Sequence, residues 1–182
     1  MRVMIIFASK TGRTRRLAEA VADGVRDAGA EAVLEAASEA DPNALARADA
    51  VILGSGVHMG GIESEMRAFL ERTASLWLAG GLTGRLGGAF VSAGSGGRGG
   101  AELALISLLS ALAEHGMLLV SMHNRLPEFG RGGSQWGPIA ETNPSDGPPG
   151  PTDAQLAAAR GHGRHVAQCA ARWARGADAD AG

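Results

Sequence analysis

The chain has 182 residues, 45% hydrophobic and 20% charged, with a formal net charge of −2. That is the composition of one folded domain with its own core, not a disordered chain, and the lack of a sustained basic stripe argues against nucleic acid as the main partner. The one cysteine, Cys169, excludes an internal disulfide. No run reaches the roughly 20 apolar residues of a membrane span, and the N-terminus does not read as a signal peptide, so a cytoplasmic protein is expected.

Residues 3–8, Val-Met-Ile-Ile-Phe-Ala, are short, apolar and rich in β-branched side chains, which predicts a buried strand. Leu17, Ala18, Val21, Ala22 and Val25 then recur at helical spacing up to Gly29. A second strand is predicted over 31–35, and Asp41-Pro42 opens a short helix or turn ending near Arg47. Residues 49–54 form a third strand that runs into a flexible loop over 55–61. Ile62, Met66, Phe69 and Leu70 mark the next helix, followed by an irregular connection over 76–82. A fourth strand, 88–92, spills into the glycine-dense stretch 93–100. An apolar helix over 102–115 and a fifth strand over 117–122 follow. Residues 123–151 read as loop, and Thr152-Asp153 caps a last helix to about Trp173. One domain over 1–175 is expected, with 176–182 a mobile tail.

Strand and helix alternate five times, which predicts an α/β fold: a five-stranded parallel sheet with helices on both faces. In such sheets ligands bind outside the C-terminal ends of the strands, where strand order reverses. With the order 2-1-3-4-5, the loops leaving strands one, three and four lie side by side. These are also the loops with unusual residues.

The first of them, Ser9, Lys10, Thr11, Gly12, Arg13 and Thr14, places hydroxyls, a glycine and cations at a helix N-terminus. Free N–H groups and the positive end of the helix dipole suit a phosphate there. A plain N-cap at Thr11 or Thr14 is the competing explanation. The loop matches neither G-x-x-x-x-G-K-[ST] nor G-x-G-x-x-G, so a single terminal phosphomonoester fits it better than a pyrophosphate. The second loop contributes Gly56, Val57, His58, Met59 and Gly60, and the third Ser92, Ala93, Gly94, Ser95, Gly96 and Gly97. Glycine-rich backbone beside a phosphate suits a flat ring, and flavin mononucleotide (FMN) carries both. His58 belongs to no core pattern and is expected near the ligand.

Other chemistries find little support. No His/Cys group has zinc spacing, so no metal is expected, and His162 with His165 reads as a solvated face of the last helix. Cys169 reads as packing, and a G-x-S-x-G nucleophile elbow is absent.

Several stretches carry a resemblance: Gly61-Ile62-Glu63-Ser64-Glu65-Met66-Arg67-Ala68-Phe69-Leu70, Leu76-Trp77-Leu78-Ala79-Gly80-Gly81, Phe90-Val91-Ser92-Ala93-Gly94-Ser95-Gly96-Gly97, Glu114-His115-Gly116-Met117 and Arg131-Gly132-Gly133-Ser134-Gln135-Trp136-Gly137. Together the chain resembles the flavodoxin-like NAD(P)H:quinone oxidoreductases of the tryptophan-repressor-binding-protein (WrbA) type, over nearly its whole length. The resemblance implies a flavodoxin-like three-layer sandwich with FMN bound and NADH or NADPH as co-substrate. Electrons would pass to a quinone by a ping-pong mechanism in a homodimer or homotetramer.

It further implies that Ser9 to Thr14 hold the phosphate, that Gly56 to Gly60 run along the ring edge, and that Ser92 to Gly97 bond its pyrimidine side. His115 becomes the family histidine near the flavin, reaching it across a subunit contact or from the helix end beside the ring. Read without the resemblance, His115 is a cation at a helix C-terminus. Trp77 would line the substrate entrance, and Arg98 and Trp136 complete the residues expected at the substrate end. Where the family commonly has Thr-Arg-Phe-Gly, this chain reads Val57-His58-Met59-Gly60. Two other roles stay open: a flavodoxin-type one-electron carrier, and an FMN-binding protein without turnover.

Overall fold

A computed structural model describes residues 1–94, 99–126, 129–142 and 150–180, the last four without their side chains. The elements run β1 (Arg2–Ala8), α1 (Arg13–Asp27), β2 (Glu31–Ala36), a 3-10 turn (Pro42–Arg47), β3 (Ala50–His58), β4 (Gly61–Ile62), α2 (Ser64–Arg72) and α3 (Ala74–Leu78). They continue with β5 (Leu86–Ala93), α4 (Gly100–Glu114), β6 (Leu118–Leu119), α5 (Phe129–Gly132), β7 (Gly133–Ser134), β8 (Gly137–Glu141) and α6 (Asp153–Asp180).

The sheet is the flavodoxin-like one, with the spatial order β2-β1-β3-β5 and then a fifth position. That position is split. β6 pairs in parallel with the start of β5 (Leu86↔Leu118) and β8 with its end (Val91↔Ile139). Two short antiparallel partners, β4 on β3 and β7 on β8, bring the sheet to eight strands among the described residues, where five were expected. Of the predicted fifth strand, only Leu118–Leu119 forms a strand. The Val120 N–H still reaches the Gly87 carbonyl, and then the chain leaves the sheet. The vacated half is taken by Gly137–Glu141, whose Gly-Pro start reads in sequence as a turn.

Side chains alternate across the strands as a two-residue period requires. Val3, Ile5, Phe7, Ala50, Ile52 and Phe90 face α1 and α6, while Met4, Ile6, Val51, Leu53, Ala89 and Val91 face α2, α3 and α4. Both layers are closed. The expected irregular connection over 76–82 begins inside α3, whose Leu76 is buried in the second layer. The last helix continues past Trp173 to Asp180.

His162 corrects the reading of a solvated face. It is completely buried, directly over Gly88 of the sheet, where a Cβ would come within 3.0 Å of its Nε2. α6 lies so close to α1 that its inward face cannot be polar-exposed; His165 is half-buried beside Cys169 and edge-on to His123. Among the described residues no helix is long and apolar enough to cross a membrane.

Candidate functional site

Parallel pairing in register sets Ala8, Ser55 and Val91 level with one another, so the C-terminal ends of β1, β3 and β5 form one edge. Side chains tie this edge together. The buried Thr14 hydroxyl, in the first turn of α1, lies 2.7 Å from the Ser92 hydroxyl at the end of β5. Ser55 donates to the Gly56 carbonyl and accepts the Glu63 N–H at 2.9 Å. Loops one and two meet where the Lys10 N–H points to Glu63 Oε1 at 3.4 Å.

Loop one keeps its helix end open. Gly12, with φ 79, is the N-cap of α1 and has no side chain with which to cap it. The N-cap explanation for Thr11 and Thr14 therefore fails. Thr14 is spent on Ser92, and Ser9 accepts the N–H of Arg15, the third residue of α1, which leaves the N–H groups of Arg13 and Thr14 without a partner among the described residues. Arg15 lies over the Phe7 ring at 5.2 Å, which leaves Lys10 and Arg13 as the loop's own cations. A positive helix end with two unpaired N–H groups in its first turn, hydroxyls and two cations fits a phosphate.

Loop two is a hairpin rather than an open loop. β3 continues to His58, and Gly61 and Ile62 pair back on His58 and Val57 across the two-residue turn Met59-Gly60. Both turn residues have positive φ, 50 at Met59 and 80 at Gly60, the type I′ geometry that matches strand twist. Met59 is thereby fully exposed at the tip. Gly60 packs against α4: a Cβ on Gly100 would come within 3.2 Å of its Cα. The start of α4 thus closes the same edge, beside Ala93 and Gly94. Ser95, Gly96, Gly97 and Arg98 lie outside the described residues.

The edge also fits a flat ring, because its walls are backbone. Gly94 and Gly61 have open space where a Cβ would stand. A cavity of about 260 Å³ opens beside Ala93 and Gly94, lined also by Glu102, Arg131 and Ser134.

Three expected members stand elsewhere. α4 begins at this edge and runs away from it for 15 residues, roughly 22 Å. His115 follows its last residue, so it does not stand beside the loops of its own chain. The same end of α4 holds Trp77, whose indole N–H donates to the Glu114 carbonyl at 3.0 Å. His115 and Trp77 line a groove of about 770 Å³ between α2, α3 and α4, together with Leu103 and Ile106. Trp136 sits in the β7–β8 turn, at the start of β8, away from the end that pairs with Ala93.

His115 is held as a defined tautomer. The Thr73 hydroxyl donates to the Leu70 carbonyl at 2.7 Å, so its oxygen accepts from His115 Nε2–H at 2.9 Å. Nδ1 is buried without a partner among the described residues. Burial holds the imidazole below the ordinary histidine value, partly countered by the neighbouring Glu114. Thr73→Val should leave the Nε2–H without an acceptor and lower stability by about 1–2 kcal/mol in urea unfolding, while Thr73→Ser should stay near wild type.

Sequence reasoning did not single out Ser55 and Glu63. Both are buried at the edge, Glu63 only 2% exposed. The available signal was the carboxylate that follows the glycine-rich loop 55–61 directly before the helix.

Comparison with known proteins agrees with this fold. A flavodoxin-domain family model matches residues 4–77. The NAD(P)H dehydrogenase (quinone) of Trichlorobacter lovleyi is 37% identical, with 94% of this chain and 98% of that protein aligned. The protein of the same name from Rhizobium rhizogenes is 32% identical over the same shares. Among solved structures, a WrbA-like flavodoxin from Agrobacterium tumefaciens superposes with a TM-score of 0.74 at 26% identity, covering 94% of this chain and 98% of its own. An archaeal flavodoxin matches in fold, with a TM-score of 0.71 at 20% identity.

Proposed function

The chain belongs to the NAD(P)H dehydrogenase (quinone) family of flavodoxin-like proteins, and from that membership we propose that it is an FMN-dependent enzyme passing two electrons from NADH or NADPH to a quinone. The observation that carries this reading is the joined edge: a glycine-capped α1 N-terminus tied through Thr14 and Ser92 to a glycine-walled loop, with a hairpin on its other side.

A bound flavin would supply the redox chemistry between nicotinamide and quinone. The chain holds and shields it. The first-turn N–H groups of α1, with the Lys10 and Arg13 side chains, would hold the phosphate, and the backbone of Ala93 and Gly94 would bond the ring. The hairpin tip at Met59, fully exposed in this structure, would cover the ring and exclude water. His58, 44% exposed and 3.3 Å from Glu63, is at hand to give a proton to the quinone oxygen as the quinol forms. His115 reaches a flavin only from a neighbouring subunit, because its own chain carries it away from the loops. That fits a homodimer or homotetramer in which the groove beside Trp77 is covered by a second copy. The likeness to flavodoxins supports flavin binding equally for a one-electron carrier, so reduction by nicotinamide is what separates the two.

The test is an absorbance titration with FMN, then anaerobic NADH or NADPH, then benzoquinone. Bleaching on the nucleotide and recovery on the quinone is the expected result. A bound flavin that neither nucleotide bleaches would make the protein a carrier or scaffold.

A further inference from the structure

Glu63 is the only carboxylate in the buried class among the described residues. Its position is set by backbone, through the Ser55 hydroxyl on its N–H and the turn of the hairpin before it. The side chain folds back over β3 instead of capping α2. Oε1 occupies the space where a Cβ on Gly56 would stand, a position 3.3 Å from the Thr14 hydroxyl. The same oxygen takes the Lys10 N–H at 3.4 Å and lies 3.3 Å from His58 Nε2. Oε2 is buried with no partner among the described residues.

A buried carboxylate oxygen without a donor costs free energy, and an apolar residue of the same size would fill this place more cheaply. Such an orphan calls for a donor from outside the chain. Its location narrows the choice, because Glu63 touches loop one through Lys10 and loop two through His58. In the flavin reading, on which this inference rests, the phosphate belongs to loop one and the ring lies along loops two and three. What spans the gap is a chain of hydroxyl groups.

We propose that Glu63 Oε2 accepts a hydrogen bond from a hydroxyl of the sugar-alcohol chain joining phosphate to ring, so that Glu63 selects flavins carrying that chain. A hydroxyl donating to a carboxylate is a short, charge-assisted bond, and Lys10 and Arg13 offset the repulsion between the carboxylate and the phosphate.

The test follows flavin fluorescence quenching by wild type, Glu63→Ala and Glu63→Gln with three ligands: FMN, riboflavin and lumiflavin, which has a methyl group in place of the polyol. Glu63→Ala should weaken FMN and riboflavin by about 10- to 100-fold, as expected for a lost hydrogen bond to a charged group. Glu63→Gln, which keeps one acceptor and the shape, should weaken them less, and lumiflavin should be unchanged in both. If Glu63→Ala does not fold, the same pattern at smaller amplitude in Glu63→Gln decides. Equal weakening of all three ligands, no weakening, or tighter FMN binding would overturn the proposal, the last by making Glu63 a repulsive group. A wild-type protein that binds none of the three would instead overturn the flavin reading itself.

Discussion

Gly163→Ala should destabilise the protein by about 3 kcal/mol, although alanine is the better helix former by roughly 1 kcal/mol. The two effects have opposite signs, which makes the outcome decisive. α1 and α6 approach through paired glycines: a Cβ on Gly163 would fall inside contact distance of the Val21 carbonyl, and one on Gly24 inside that of Arg160. Both obstacles are backbone, so no rotamer change relieves them. The helices must separate, opening the layer in which Leu17, Val21, Val166 and Ala170 pack. Gly176, on the same helix, has open space where its Cβ would stand. Gly176→Ala should be neutral to stabilising, as propensity alone predicts. Urea midpoints at unchanged m-value measure both. A Gly163→Ala protein as stable as wild type would mean that the helices do not cross this closely.

Acid should weaken the fold through His162 by about 2 kcal/mol between pH 7.5 and pH 5. Its imidazole is completely buried and neither ring nitrogen has a partner among the described residues. Burial, with a smaller contribution from His165, lowers its pKa from 6.5 to about 3. Over that interval the unfolded chain binds a proton that the folded chain refuses. Stability is therefore complete above pH 6.5 and falls as the pH drops from there toward 3. His115 and His165, also lowered by burial, act in the same direction. His162→Leu removes the largest contribution, so its stability should fall less than wild type's over the same pH change. Parallel slopes in denaturant titrations at the two pH values would show that His162 is not the group responsible.

Both predictions come from positions whose burial the sequence does not announce. The apolar periods did reveal the elements. The run 3–8 is β1, the spacing of Leu17 to Val25 is α1, and the alternation of strands and helices is the flavodoxin-like order through β5. The fifth strand was legible only in part, because pairing of Gly137–Glu141 with β5 is a non-local choice and Gly137-Pro138 looks locally like a turn. Met59-Gly60 was legible as an irregular stretch, but its type I′ turn shows only once Ile62 is seen to pair with Val57.

The sequence by itself determined the parallel α/β architecture and the placing of three unusual loops at the C-terminal ends of its strands. These follow from local periodicity, glycine placement and the handedness of strand–helix crossovers. Tertiary structure alone decided that Glu63 is buried with an unpaired oxygen, that His162 is in the core, and that His115 and Trp77 stand far along α4 from their own loops. Burial of a polar group depends on which backbone closes over it. For Glu63 that is the hairpin, for His162 the glycine-paired crossing of α1 and α6, and neither contact is local in the chain.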